Sequence, residues 1–191
     1  MRLRIINSSM IESRRFALVA YVQGDLIQFV DDLRRELHPA LPPLPAHLTI
    51  LPPRCLLGSE QAARDILEET CSQVQPFEVT LGEVETFIPI TPTLFIRVSN
   101  AAYRMRELHD ALSRDELAGI EQWPYMPHMT IAKMATEVQA QTALTKAQKR
   151  WAEFPGSHTV RVKDLTFVRE DSPNCWVDIS AVTLGGSLVK G

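Results

Sequence analysis

Cysteine is scarce: Cys55, Cys71 and Cys175 are odd in number, far apart and outside any CxxC spacing. That excludes a disulfide framework and a cysteine zinc site, and points to reduced thiols in a cytoplasmic protein. With 8 glycines among 191 residues, the chain has no GxxxxGK phosphate loop, no GxGxxG and no GxSxG elbow, and HExxH is missing too. Neither sign of charge dominates, since 20 basic residues against 23 acidic ones leave −3 and a pI near 6.0. Long duplex nucleic acid is therefore not an expected partner. A small anionic ligand or an RNA end needs only a local positive patch. No apolar run could span a bilayer, and the N-terminus, despite Arg2, Arg4, Arg14 and Arg15, has none of signal-peptide length. No membrane partner is expected.

Hydrophobic residues make up 45% of the chain, enough for a substantial core. The reading is a monomer with one domain over 16–185, between a leader (1–15) and a tail (186–191). Phe16 to Val22 is an apolar run ended by Gly24, which reads as a buried strand. From Asp25 the period changes: Leu26, Phe29, Val30, Leu33 and Leu37 fall at helical spacing, with Asp25 as N-cap and His38-Pro39 as stop. A proline-rich connector over 39–45 leads to a strand from His47, closed by Pro52-Pro53. Ser59 caps a second helix, and Phe77, Val79 and Leu81 alternate as a strand. After Ile88-Pro89-Ile90-Thr91-Pro92 the order restarts. Leu94 to Val98 is a strand, Asn100 caps a helix, and a connector over 114–127 leads to a strand from His128. Thr136 opens a helix with Val138, Leu144, Ala147 and Trp151 as its apolar stripe. Thr159–Val162 and Leu165–Val168 read as a strand pair or one bent strand, and Pro173-Asn174 turns into a last strand.

The two halves, about 16–87 and 93–184, thus repeat strand, helix, strand, helix, strand. Such a repeat predicts two α+β lobes related by a pseudo-twofold axis. Within it two segments share one grammar: Pro45-Ala46-His47-Leu48-Thr49-Ile50 and Pro127-His128-Met129-Thr130-Ile131. Period-two alternation places each His on the face of its Thr, while Leu48, Ile50, Met129 and Ile131 point into a core. Each of the five histidines has a roughly one-in-fifteen chance of a Thr two places on, so two hits come to about 4%. Either motif alone reads more simply as a strand histidine satisfied by backbone and water. Their matching slots in the repeat turn the reading toward one shared site. His38, His109 and His158 lack this setting and read as surface or packing residues.

Tandem His-x-Thr motifs 81 residues apart in this strand–helix alternation resemble the 2H phosphoesterase superfamily, in its 2′-5′ RNA ligase-like and cyclic-phosphodiesterase branch. The resemblance runs from about Phe16 to Leu184. It implies a bilobal fold of two antiparallel sheets facing a central cleft, helices outside, no metal, and action on 2′,3′-cyclic phosphates or 2′-5′ phosphodiester bonds. It also implies His47 and His128 as catalytic residues and Thr49 and Thr130 as phosphate-binding hydroxyls. Lys133 stands five residues past His128, where related sequences often carry Arg or Lys. Plain strand parity turns Lys133 away from His128, so a role there requires a bend.

Other residues carry two readings each. Tyr125 and Trp123 are placed to stack on a base, or simply pack beside proline. Arg54 and Arg97 would contact phosphate, or be solvated or salt-bridged. Cys55 as a nucleophile with His47 has nothing to place its thiol. The two histidines as metal ligands lack a suitably spaced carboxylate, and Thr is a poor ligand. No cofactor is expected.

Displacement at phosphorus needs a base on the attacking oxygen and an acid on the leaving one, and two imidazoles suit both. The expected activity is hydrolysis or reversible ligation of a nucleotide or RNA-end phosphodiester, with a bell-shaped pH profile. The alternative is a nucleotide- or RNA-binding module of the same fold that turns nothing over. Specificity would reside in the connectors 39–45 and 114–127.

Overall fold

The computed structural model describes residues 14–38 and 45–186. Most of the expected leader, the 39–45 connector and the tail lie outside the described residues. Strand β1 (Arg15–Tyr21) has five consecutive buried residues because both its faces are covered. Phe16, Leu18 and Ala20 enter the main core, while Ala17 and Val19 join Val168 in a small cluster on the opposite face. Helix α1 (Asp25–Leu37) buries Leu26, Val30 and Leu33. Its N-cap is Gly24, at φ 71 and ψ −156, a backbone conformation that favours glycine. Asp25, expected as the cap, is instead the first helical residue, where the helix dipole favours its charge.

The chain continues through β2 (His47–Cys55), α2 (Glu60–Ser72), β3 (Phe77–Thr86), β4 (Thr93–Asn100), α3 (Ala102–Leu112), β5 (His128–Lys133) and α4 (Glu137–Ala152), ending in β6 (Thr159–Val162), β7 (Asp164–Ser172) and β8 (Cys175–Thr183). Ser59 and Thr136 cap α2 and α4 as expected, each side-chain oxygen accepting the backbone N–H three residues on. Asn100 does not cap α3. Ala101 holds that place at φ 55 without a side-chain cap, and the Asn100 amide oxygen accepts only the Ala101 N–H. In α4 the buried stripe is Ala140, Ala143, Ala147 and Trp151. Val138, expected inside, falls off that stripe and is 77% exposed.

Two four-stranded antiparallel sheets result, in the orders β2-β1-β7-β8 and β5-β4-β3-β6. The expected α+β fold of two antiparallel sheets is the observed one. β6 and β7 are neither a pair nor one bent strand: β6 extends the second sheet beside β3, and β7 crosses to the first beside β1. That crossing stacks Phe167 on Phe16, ring centroids 5.4 Å apart, and covers the second edge of β1. The sheets therefore interleave the sequence halves, since β3 of the first half lies between β4 and β6. The helices interleave as well, α1 packing on β5 and α4, and α3 on β2 and α2. One continuous core runs through both sheets. Among the described residues no helix is long and apolar enough to cross a membrane.

Candidate active site

β2 and β5 are end strands of their sheets, and these two strands lie against each other. Each begins at its histidine, and both follow one burial rhythm: half-buried His, buried apolar, half-buried Thr, then two buried residues. That rhythm records a bulge at the same place in each. In the first sheet Val19 pairs with Thr49 and Leu18 with Leu51, leaving Ile50 over. In the second, Phe95 pairs with Thr130 and Leu94 with Ala132, leaving Ile131 over. A bulge re-aims the residues beyond it. Past Ile131, Lys133 pairs with Thr93, and Thr93 shares a face of β4 with Phe95 and Arg97, which pair with Thr130 and His128. The bend that Lys133 required is thus built in, and Lys133 returns to the histidine face. Its charge is felt by His128. In the first half the corresponding residue is Pro52, so only one motif brings a cation to this position.

Both imidazoles are held by the same local bond. His47 Nδ1 lies 2.8 Å from the Pro45 carbonyl and His128 Nδ1 2.7 Å from that of Met126, each two residues back. A carbonyl only accepts, so each Nδ1 carries a hydrogen, and in the neutral ring each Nε2 is the acceptor nitrogen. Rings buttress both. Tyr21 meets His47 edge-on, centroids 6.3 Å apart, and Phe87 and Phe95 meet His128 at 5.1 and 5.3 Å. Burial lowers both histidine pKa values below the ordinary 6.5. For His47 the charges of Arg34 and His128 add to that lowering, and for His128 the charge of Lys133 does. Tyr21 is tied to Asp178 through its hydroxyl at 2.6 Å.

The remaining candidates separate. Arg97 forms a two-pronged ion pair with Glu85 at 2.5 and 2.6 Å. Arg54 is buried; it donates to the Pro52 and Leu117 carbonyls and Ser113 Oγ, and pairs with Glu121 at 2.6 Å. Both arginines are salt-bridged, Arg54 inside the protein and Arg97 with 45% of its side chain exposed. Tyr125 is also occupied internally. Its hydroxyl donates to the Thr49 carbonyl at 2.6 Å, and its ring lies flat on His109, 4.1 Å between centroids and 4° between planes. Burial pushes its phenol far above the ordinary value. Trp123 remains 55% exposed. Cys55 is exposed on the far end of β2, and Cys71 is buried with its thiol pushed up to about 12.

Sequence reasoning missed the polar cluster behind β2. His109 Nδ1 lies 2.9 Å from the Ile50 carbonyl and its Nε2 lies 3.3 Å from Glu121. It missed Arg34 on α1 as well, which donates to the carbonyls of Thr130 and Ile131 on β5 at 2.7 and 3.2 Å. No local pattern marks these residues, since their backbone partners lie 59 to 97 positions away. His158, read as a packing residue, stacks on Trp151 at 4.2 Å. Among the described residues no three His, Cys, Asp or Glu side chains sit together as metal ligands.

A family model described as the 2′-5′ RNA ligase superfamily matches residues 22–174. The "Putative phosphoesterase" of Oceanobacillus iheyensis is 29% identical over 108 residues, which is 53% of this chain and 59% of that protein. Escherichia coli LigT, solved with 3′-AMP, superposes with a TM-score of 0.60 at 13% identity, covering 91% of this chain and 99% of LigT. LigT has also been solved with phosphate, ATP and NADP+. The protein TT0787 of Thermus thermophilus gives a TM-score of 0.58 at 18% identity, covering 90% of this chain and 98% of that one. At these identities the solved structures speak for the fold. The family match spans well over half of the residues, and on that ground the chain belongs to the 2′-5′ RNA ligase superfamily.

Proposed function

We propose that this protein is a metal-independent phosphoesterase acting on 2′,3′-cyclic phosphate or 2′-5′ phosphodiester bonds of nucleotides or RNA ends. His47 and His128 form the acid–base pair. The observation that carries the proposal is their matched setting: two imidazoles on facing end strands, each with Nδ1 fixed on a carbonyl two residues back and Nε2 left for chemistry. In hydrolysis of a cyclic phosphate, one neutral Nε2 takes a proton from water as its oxygen bonds to phosphorus. The other imidazole, protonated, gives its proton to the departing ribose oxygen. One water is consumed, one P–O bond forms, one breaks, and the pair ends with its protonation exchanged. Ligation is the same exchange with a ribose hydroxyl in place of water.

Lowered pKa values make a neutral base available at pH 7. The acid is recruited on binding, because a phosphate anion between the rings favours an imidazolium. Thr49 and Thr130, on the same faces as their histidines, would hold the non-bridging oxygens, and Lys133 would offset charge building there. The nucleotides with which LigT has been solved support a nucleotide or RNA-end substrate. Turnover of a 2′,3′-cyclic nucleotide in EDTA tests the proposal. Each general acid–base step contributes about 10²–10⁴ in rate, so His47→Ala and His128→Ala should each be nearly inactive. Nucleotide binding without product from any phosphodiester would favour a binding module instead.

A further inference from the structure

The two reacting imidazoles of this reading stand on different sheets. Among the described residues β2 pairs only with β1, and β5 only with β4, so no strand ladder there fixes one histidine against the other. Something else must set the gap. The outer edges of β2 and β5 offer backbone carbonyls that a further strand would otherwise take, and the structure fills them reciprocally. Tyr125, three residues before His128, donates its hydroxyl to the Thr49 carbonyl at 2.6 Å. Arg34, on the helix that leads toward His47, donates to the Thr130 carbonyl at 2.7 Å and the Ile131 carbonyl at 3.2 Å. Thr49 and Thr130 are equivalent positions of the two motifs, so the approach to each motif grips the same carbonyl of the other.

We propose that Tyr125 and Arg34 are positioning residues, a crossed latch that sets the separation of His47 and His128. The latch is stiff at both ends. The Tyr125 ring is stacked flat on His109, whose own Nδ1 engages the adjacent Ile50 carbonyl. Arg34 spans two successive carbonyls from two nitrogens of one planar fork, a rigid geometry that the single rotatable ammonium of Lys does not reproduce. Burial keeps the Tyr125 hydroxyl protonated, and so a donor, throughout the working pH range. The inference rests on His47 and His128 being the reacting pair. It adds that the pair is aligned from outside its own strands.

The test uses Tyr125→Phe and Arg34→Lys, neither of which changes net charge near neutrality, with Ser59→Ala, which removes the α2 cap, as a control for destabilisation outside the two motifs. Misplacement by about 1 Å can cost about a hundredfold in rate. Both latch variants should lose at least about tenfold in kcat with KM within about twofold, and Ser59→Ala should lose neither. In parallel, the titration of the two imidazoles is followed by NMR. Tyr125→Phe adds no charge, so movement of the His47 and His128 midpoints toward 6.5 reports looser packing and a wider gap. Unchanged kcat and unchanged titrations alongside a lowered Tm would overturn the latch. If the wild-type protein turns over no phosphodiester but the titrations still move, the proposed activity fails and the latch stands.

Discussion

Replacing Arg54 by Met should be one of the more damaging changes open to a residue outside the two His-x-Thr motifs. The methionine fills much of the space but removes four bonds: to the Pro52 and Leu117 carbonyls, Ser113 Oγ and Glu121. Breaking a buried ion pair from one side costs about 3–5 kcal/mol because the partner charge stays behind. Glu121 keeps 23% of its side chain exposed, which relieves part of that penalty. The stranded Leu117 carbonyl adds about 1 kcal/mol or more. A net loss of about 3 kcal/mol follows, or about 6–12 °C in Tm for a chain of this size. Urea or thermal denaturation reads the loss directly, and a double-mutant cycle with Glu121→Gln should return a coupling of at least about 1 kcal/mol. A loss below about 1 kcal/mol, the range of an exposed ion pair, would refute the view that this cluster anchors the 114–127 connector beneath the first motif.

Two further outcomes follow from the charges around the histidines. Lys133→Gln removes a cation that disfavours the His128 imidazolium, so the His128 titration should move up toward 6.5; no movement would mean the bulge does not bring Lys133 to that face. Binding of a nucleoside monophosphate at pH 6.5 should take up protons, because the anion raises two pKa values that the free protein holds low. Calorimetry in buffers of differing ionisation enthalpy measures that uptake, and zero uptake or proton release would contradict it.

Much of this architecture could be read from residues alone. The period-two rhythm of Leu48, Ile50, Met129 and Ile131 located both end strands, and the oxygens of Ser59 and Thr136 marked two helix starts. These signals are local, as are the propensities behind them. What escaped depends on cross-strand register or on contacts distant in sequence. The bulges at Ile50 and Ile131 exist only relative to β1 and β4, so parity counted along β5 alone sent Lys133 to the wrong face. Thr159–Val162 and Leu165–Val168 look like neighbours because so little chain separates them, yet their partners, β3 and β1, lie in different sheets. Arg34, Arg54, Glu121 and His109 form bonds around β2 and β5 that reach mostly to backbone carbonyls, and a backbone acceptor leaves no mark in a sequence.

The most direct measurement is the pH dependence of kcat/KM on a 2′,3′-cyclic nucleotide in EDTA, for the wild-type protein and for His47→Ala and His128→Ala. Both imidazoles are held below the ordinary 6.5, so a bell with its maximum on the acid side of that value is expected, and each alanine variant should fall to near-background rates. A profile flat from about pH 5 to 9, or an alanine variant with wild-type turnover, would contradict the two-histidine account.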